Sequence, residues 1–241
     1  MFGMGTIINT VAIVIGGILG YFFGGFLKER HQSSLNMACG VCVLFIGVSG
    51  ALEGMLSING DRLVSGNSML VIVCLALGAL IGEIINIEDR FERFGEWLKI
   101  KTGNAKDKNF VDGFVTSSLT VCIGAMAIVG SIQDGILGDY SILALKAVLD
   151  LIIIMVMTCS MGKGCVFSAI PVAVFQGTIT CLAKMIEPLM TGAALANLSL
   201  VGSILIFCVG MNLVWGKKVR VANLLPAIII AVVLAFMPIK L

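Results

Sequence analysis

The stretch GDYSILALKAVLDLIIIMVM, residues 138–157, decides the fold of this protein. From Ser141 onward it is almost wholly apolar, and about 20 such residues of α-helix match the hydrocarbon core of a bilayer. It nevertheless contains Lys146 and Asp150. Side chains four residues apart lie on one face of a helix, so these two charges can neutralise each other. The stretch predicts a membrane-spanning helix that holds an ion pair near its middle.

The composition of the whole chain agrees with this prediction. Of 241 residues, 59% are hydrophobic and 12% are charged, whereas about 25% of residues are charged in a typical soluble protein. Apolar runs follow one another with short polar breaks, which predicts an all-α polytopic bundle forming one integral membrane domain, residues 1–241. We predict about eight transmembrane helices, at 4–27, 35–57, 67–87, 110–133, 140–160, 165–187, 193–215 and 220–239.

The basic residues predict how the chain is oriented. Cytoplasmic loops hold an excess of Lys and Arg. Twelve of them fall in alternate breaks: Lys28, Arg30, Arg90, Arg93, Lys99, Lys101, Lys106, Lys108, Lys163, Lys217, Lys218 and Arg220. The opposite ends hold Arg62, Lys184 and Lys240. This bias predicts that both termini lie outside, and the net charge of +2 gives no reason to expect a nucleic-acid partner.

The longest break, residues 88–109, is predicted to be a cytoplasmic loop that contains a short interfacial helix. Phe91, Phe94, Trp97 and Leu98 lie on roughly one helical face among charged residues, and Trp97 is a natural anchor in the membrane interface. A solvated connector that only maintains topology is the alternative.

Two sequence patterns concern how the helices pack. VCVLFIGVSGALEGML (41–56) weakly resembles VCIGAMAIVGSIQDGIL (121–137), which suggests an internal repeat of the kind found in transporters. Gly16, Gly20 and Gly24 form a flat helical face, and Gly78 and Gly82 repeat the spacing. Such faces permit close helix contact, either within one protomer or between protomers. From them we predict a homo-oligomer.

Asp150 is the leading candidate for a functional residue. It lies about ten residues into its helix, roughly 15 Å deep, near the middle of a core about 30 Å thick. An acid at that depth should face other helices or water, and such groups often lie on ion pathways. When its pairing with Lys146 opens, Asp150 can bind a cation or a proton, whereas Lys146 alone can bind an anion. A buried pair that only fixes helix packing is the alternative.

Other polar residues extend this candidate pathway for an ion or small solute. Amides are costly to leave unpaired in a membrane, so we add Asn9, Gln176 and Asn212 to the site. Glu83, after LGALIG, and Asn223, near the helix-breaking Pro226, complete the set. The acids near outer helix ends, including Asp134, are predicted to be solvated or to cap helices.

Catalytic chemistry has little support in the sequence. His31 is the only histidine, so neither a histidine metal site nor a Ser-His-Asp arrangement is available. The C-x-x-C of Cys39 and Cys42 lies in an apolar run without a basic neighbour to stabilise a thiolate, and no G-x-x-x-x-G-K-[ST] phosphate loop occurs. We expect no enzyme, no catalytic residue, no metal and no cofactor. A transporter or channel and a non-transporting membrane scaffold remain the two function classes.

Four stretches together resemble the bacterial membrane family called domain of unknown function 554. They are IINTVAIVIGGILG (7–20), LGALIGE (77–83), GDYSILALKAVLD (138–150) and VANLLPAIIIA (221–231). The resemblance covers almost the whole chain and is most specific at 138–150. It implies a multi-pass protein of the bacterial cytoplasmic (inner) membrane, often regarded as a transporter, and it supplies no substrate or catalytic residue.

Overall fold

The computed structural model describes residues 2–60 and 62–237, which are mostly α-helical. The helices are α1 (Met4–Phe26), α2 (Glu29–Met55), α3 (Ser68–Ile85), α4 (Ile87–Lys101), α5 (Phe110–Cys122), α6 (Ala125–Leu137), α7 (Ser141–Met161), α8 (Ala169–Cys181), α9 (Ala183–Ile186), α10 (Gly192–Trp215) and α11 (Pro226–Leu234). Short 3-10 turns occupy Lys163–Ser168, Glu187–Leu189 and Val221–Leu224. Two strands, β1 (Leu56–Asn59) and β2 (Arg62–Ser65), complete the described elements.

The helical membrane fold predicted from the sequence is confirmed. Within the described residues, six segments are long and apolar enough to cross a bilayer: α1, α2, α3, α7, α10 and the continuous stretch Lys163–Cys181. Each corresponds to one of the predicted spans. The largest shifts of a boundary are that α2 begins at Glu29 rather than at residue 35 and that the sixth span ends at Cys181 rather than at residue 187.

The prediction that the fourth span, 110–133, is one continuous helix was wrong. The span is divided into α5 and α6, whose axes differ in direction by 62°. Gly124, at the junction, has φ 150°, a conformation that residues with a Cβ rarely adopt. Counted as one span, the bent pair raises the number of described spans to seven. The two segments of the suggested repeat differ for the same reason, because 121–137 crosses this break while 41–55 lies within unbroken α2.

The last predicted span, 220–239, is also not one regular helix in its described part. Residues Val221–Leu224 form a 3-10 turn, and α11 has nine residues beginning at Pro226. Proline lacks the backbone N–H that an α-helix through this point would need, but it is well tolerated in a first turn. Residues 238 and 239 lie outside the described part of the chain. The count of eight spans and the outside location of both termini stay predictions.

A small β-hairpin that the sequence reasoning missed connects α2 to α3. Strand β1 pairs antiparallel with β2, with Leu56 opposite Ser65 and Ile58 opposite Leu63. Residues 56 and 57 had been assigned to the end of the second predicted helix. Ile58 and Leu63 are exposed, so the hairpin carries exposed apolar side chains at the C-terminal end of α2.

Glycine faces bring the helices together in pairs. Gly16 and Gly20 of α1 lie against the backbone of α7 at Leu151 and Met155, so the two helices run parallel. Gly78 of α3 lies against Ala227 of α11, and Gly82 lies against the backbone of Asn223 in the 3-10 turn before α11. The sequence left open whether the glycine faces make their close contacts within one protomer or between protomers. These contacts are made within one chain. The homo-oligomer stays a prediction, and these glycine faces no longer support it.

The outer faces of the bundle remain apolar. Large side chains such as Phe22, Phe45, Ile72 and Ile84 are strongly exposed along the first three helices. Soluble proteins rarely expose such contiguous apolar surface, whereas lipid requires it. The surface therefore agrees with the membrane fold.

The loop predicted at 88–109 contains a helix, α4. Phe91 of α4 stacks on Phe114 of α5, with ring centroids 5.4 Å apart, and Phe94 meets the same ring edge-on at 5.8 Å. Trp97 stacks on Phe94 and stays half exposed. The helix is thus fixed to the bundle by aromatic contacts, and its location at the membrane interface stays a prediction.

Candidate functional site

The charge pair predicted from the sequence is formed in α7. The Nζ atom of Lys146 lies 2.7 Å from both carboxylate oxygens of Asp150. Lys146 is 8% exposed and Asp150 is 3% exposed. Asp150 is nine residues from the start of α7 and eleven from its end, which places it roughly 14–17 Å from each. The carboxylate is therefore held near the middle of the helix and faces the bundle interior.

Two predicted amides lie in the same region with their polar atoms unpaired. Asn9 of α1 and Gln176 of α8 are 0% and 1% exposed, and neither amide makes a hydrogen bond to any residue in the described ranges. The Asn9 amide still lies close enough to the Asp150 carboxylate to act on its charge. Because unsatisfied polar groups in a membrane interior are costly, these amides are natural ligands for a bound ion, water or solute.

A pair of hydroxyls fixes the register between α1 and α8. The Oγ1 atoms of Thr6 and Thr180 lie 3.4 Å apart. Asn9 follows Thr6 by three residues, and Gln176 precedes Thr180 by four, so both amides lie one turn further into the bundle on the facing sides of their helices. This register brings Asn9 and Gln176 to the same depth.

The break between α5 and α6 lies beside the charge pair. Cys122, the last residue of α5, is within electrostatic range of both Lys146 and Asp150. The ends of helices leave backbone carbonyls and N–H groups without intrahelical partners. Broken helices that meet near the membrane midplane form ion and substrate sites in many transporters. The break therefore adds backbone polar groups to the region around Asp150.

A cavity of about 330 Å³ opens at the end of the bundle that carries the basic loops, here called the basic end. Its polar lining comprises Asn36, Glu88, Glu92, Asp112, Thr116, Asn212 and Lys217, and its apolar lining includes Val115, Leu119 and Met161. Three carboxylates face one ammonium group, so the lining favours cations.

This cavity approaches the charge pair along two facing helices. On α5, Asp112 and Leu119 line the cavity. Cys122 follows Leu119 by one turn and is within electrostatic range of the pair. On α7, Met161 lines the cavity eleven residues from Asp150. The segment of α5 from Asp112 to Cys122 and the segment of α7 from Met161 to Asp150 are each roughly 15–17 Å long. The buried side chain of Leu119 therefore lies at the inner end of the cavity, one turn before the pair.

Three of the seven predicted site residues lie at the basic end instead. Asn212 accepts hydrogen bonds from the N–H groups of Lys218 and Val219, both at 2.9 Å, and donates to the Val219 carbonyl at 2.7 Å. Asn223 accepts from the N–H of Glu88 at 2.7 Å. Glu83 pairs with Arg220 at 3.2 Å, with both side chains about half exposed. Of the three, Asn212 lines the cavity, and none lies with Asp150.

Sequence reasoning missed Glu88, which is almost fully buried at the start of α4. One carboxylate oxygen accepts from the N–H of Ala222 at 2.9 Å, and the other lies 3.0 Å from the Nζ of Lys217. Lys217 also contacts Glu92. Glu88 therefore joins α4 to the segment between α10 and α11. Its position in a charged loop predicted only a solvated side chain, because its partners are more than 120 residues away in sequence.

The attachment of α4 should weaken in alkali. Partial burial lowers the pKa of Lys217, but hydrogen bonds and charges from Glu92 and Glu88 raise it to a net value above the ordinary 10.5. Stability from a raised pKa is complete below the unfolded pKa and is lost as pH rises through the folded one. We expect Lys217→Met to lower the unfolding temperature in detergent at neutral pH, with the difference shrinking as the pH rises above 10.5.

Lys218→Met is the matched control for this prediction. Lys218 is exposed and forms no ion pair among the described side chains. The Lys218→Met variant should leave the unfolding temperature unchanged both at neutral pH and in alkali. Equal effects of the two substitutions at neutral pH would contradict an attachment through Lys217.

Comparison with known proteins identifies the family. The profile of the family described as "Protein of unknown function (DUF554)" matches residues 4–236. The chain belongs to the DUF554 family. This DUF554 chain is 31% identical over 232 residues to "Uncharacterized membrane protein YdfK" of Bacillus subtilis (strain 168), covering 96% of this chain and 95% of the relative. It is 29% identical over 236 residues to "Uncharacterized protein YqgA" of Escherichia coli (strain K12), covering 96% of each. No solved structure matches it significantly.

These matches agree with the resemblance found in the sequence. The similarity runs through nearly the whole length of both relatives, so the DUF554 chain corresponds to them as one unit. Together with the apolar spans, it establishes a multi-pass membrane protein. Neither relative's name specifies a substrate, so a functional assignment rests on the site geometry.

Proposed function

We propose that this DUF554 protein is a transporter of an ion or small solute in the bacterial cytoplasmic membrane, with Asp150 and Lys146 at its central site. The observation that carries the proposal is the buried ion pair at mid-helix, with the amide of Asn9 near its carboxylate and the unpaired amide of Gln176 at the same depth. A pair that served packing alone would gain nothing from facing unsatisfied amides, which destabilise a folded interior. The amides have a role if a ligand or a second arrangement of the pair satisfies them.

The pair supports two alternative arrangements. When a proton or cation neutralises Asp150, Lys146 loses its counter-charge in a buried position, which is unfavourable. The amide oxygens of Asn9 and Gln176 are then the acceptors that the Lys146 ammonium lacks. Because Asn9 lies on α1 and Gln176 on α8, this exchange favours a shift of α7 against those helices. Coupling of ligand binding to such a helix shift is the basis of alternating access.

The cavity supports access from the basic end. Its excess of carboxylates raises the local concentration of cations, and it extends to within one turn of Cys122. The α5–α6 break at that depth resembles the broken helices of other transporters. On this arrangement Leu119 separates the cavity from the central site, and no residue acts as a catalyst.

Flux in proteoliposomes tests the proposal directly. The purified protein is reconstituted and assayed with a panel of cations and with an internal pH dye, beside Asp150→Asn. We expect flux in the native protein to fall about tenfold or more in the variant, because the site loses the negative charge that binds the ligand. Normal transport of an identified substrate by Asp150→Asn would overturn the mechanism.

Asp139→Asn is the matched control. Asp139 is exposed before the same helix and accepts from the N–H and hydroxyl groups of Ser141 at 2.9 and 2.6 Å, a role that asparagine can also fill. This variant should transport as the native protein does. Absence of flux from the well-folded native protein across the panel would favour the alternative class, a membrane scaffold in which the pair fixes packing.

A further inference from the structure

A second acid, Asp134 of α6, is buried at the end of the bundle opposite the cavity. It is 0% exposed. One carboxylate oxygen accepts from the N–H of Gly5, in the first turn of α1, at 2.9 Å. The other oxygen has no hydrogen-bond partner in the described part of the chain. The sequence predicted a solvated or capping acid here, and the cap exists, but the carboxylate is fully enclosed and half satisfied.

The surroundings of Asp134 offer a second unsatisfied group. Ser131 lies one turn earlier on the same face of α6, is fully buried, and its hydroxyl has no partner among the residues described. On α1 the neighbour is Thr6, next to Gly5. The adjacent Gly135 lies against the backbone of Thr180, at the end of α8. Two neighbouring buried polar groups that lack hydrogen-bond partners indicate a site at which a ligand supplies the missing hydrogen bonds.

The groups packed around this carboxylate carry no charge of their own. They are Gly5 and Thr6 from α1, Leu143 from α7 and, beyond Gly135, Thr180 and Ala183 from α8 and α9. The titratable side chains nearest to these residues along the chain are Lys184, which follows Ala183, Cys181, which follows Thr180, and Lys146, one turn beyond Leu143. The helix dipole of α1 favours the ionised carboxylate at its N-terminus. An ionised carboxylate at this position can therefore accept a cationic ligand.

A file of buried polar side chains leads from Asp134 to Asp150. Thr6 and Thr180 meet beside Gly5 and Gly135. One turn further in are Asn9 and Gln176, and the Asn9 amide faces Asp150. Thr6, Asn9 and Gln176 are buried, and Thr180 is partly buried. The file crosses the half of the bundle that the cavity does not reach.

We propose that Asp134 is the outer proton-binding carboxylate of this pathway, a proposal that rests on the function proposed above. A proton taken up from the outer side forms an O–H bond on the free oxygen of Asp134. That bond then breaks as the hydroxyls of Thr6 and Thr180, with intervening water, pass a proton to Asp150, so Asp134 returns to its carboxylate and Asp150 becomes neutral. The ligand is a proton rather than a hydrated cation, because the mostly buried side chains leave room for a relay of hydrogen bonds but not for a cation with its hydration shell.

Proton flux into proteoliposomes separates a proton site from a helix cap. In Asp134→Asn the amide oxygen still accepts from the N–H of Gly5, so the cap is kept and the ionisable group is lost. We expect proton-dependent flux driven from the outer side to fall about tenfold or more, with partial recovery in Asp134→Glu and native flux in Asp139→Asn. Native flux in Asp134→Asn, beside loss in Asp150→Asn, would overturn this inference and leave the proposed function intact.

A second measurement on the native protein depends neither on flux nor on the folding of a variant. Apolar carbodiimides modify protonated carboxyl groups in membranes, and peptide mass spectrometry locates the adduct. We expect an adduct on Asp134 in the native protein, because the reagent reacts with the carboxyl form that binds the proton. This result without any flux would support the proton site while overturning transport. No adduct on Asp134 would overturn the proton site.

Discussion

Lys146→Met is expected to destabilise the protein by about 3–5 kcal/mol, the usual effect of removing one partner from a buried ion pair. Both carboxylate oxygens of Asp150 are held at 2.7 Å by the one Nζ atom. Methionine fills a similar volume but leaves the carboxylate without a counter-charge at mid-helix. The unfolding temperature of the purified protein in detergent measures the effect.

The double variant Lys146→Met with Asp150→Leu is the informative comparison. Replacing a buried pair by apolar residues of similar volume is often neutral or stabilising by about 1–4 kcal/mol. We therefore expect the double variant to recover native stability and to lose flux entirely. A double variant that is less stable than Lys146→Met would show that the pair holds the helices together, which is the packing role. Recovered stability without flux is the result expected if the pair serves function.

The second large effect is expected at the contact between α1 and α7. A Cβ added at Gly16 or Gly20 would collide with the carbonyl oxygen of Leu151 or of Met155. Backbone atoms cannot turn aside as a flexible side chain can, so the helices must separate. We expect Gly16→Ala and Gly20→Ala each to destabilise the protein by about 1–3 kcal/mol. Because Leu151 follows Asp150 directly, Gly16→Ala should also lower flux.

Gly25→Ala provides the control within the same helix. A Cβ at Gly25 meets nothing within 4 Å. Alanine is favoured over glycine in a helix by about 0.5–1 kcal/mol, so this variant should be as stable as the native protein or slightly more so. The three variants are compared by thermal unfolding in detergent. A similar loss at Gly25 would mean that the close contact with α7 is not the cause.

Local sequence patterns predicted more of the helices than of the site. Apolar runs of membrane length predicted α1, α2, α3, α7 and α10 because the hydrophobic requirement of lipid acts along each segment separately. They could not predict the bend at Gly124, since a glycine inside an apolar run is compatible with either a continuous or a broken helix. The hairpin of β1 and β2 was missed because residues 56 and 57 were assigned to the apolar run of α2 and residues 58–65 to the polar break that follows it.

The sequence by itself determined the membrane fold and the Lys146–Asp150 pair, since both depend on spacing within one segment. Only the tertiary structure decided which other polar groups join that pair. Asn9 acts on the Asp150 carboxylate and Gln176 is buried at the depth of Asn9. Asn212, Asn223 and Glu83 are used at the basic end instead, although all five are polar residues in or beside apolar runs. Burial of Asp134 and Glu88 was likewise decided by partners more than 120 residues distant. The physical reason is that helix packing depends on long-range contacts, and a single segment does not specify which helix covers it.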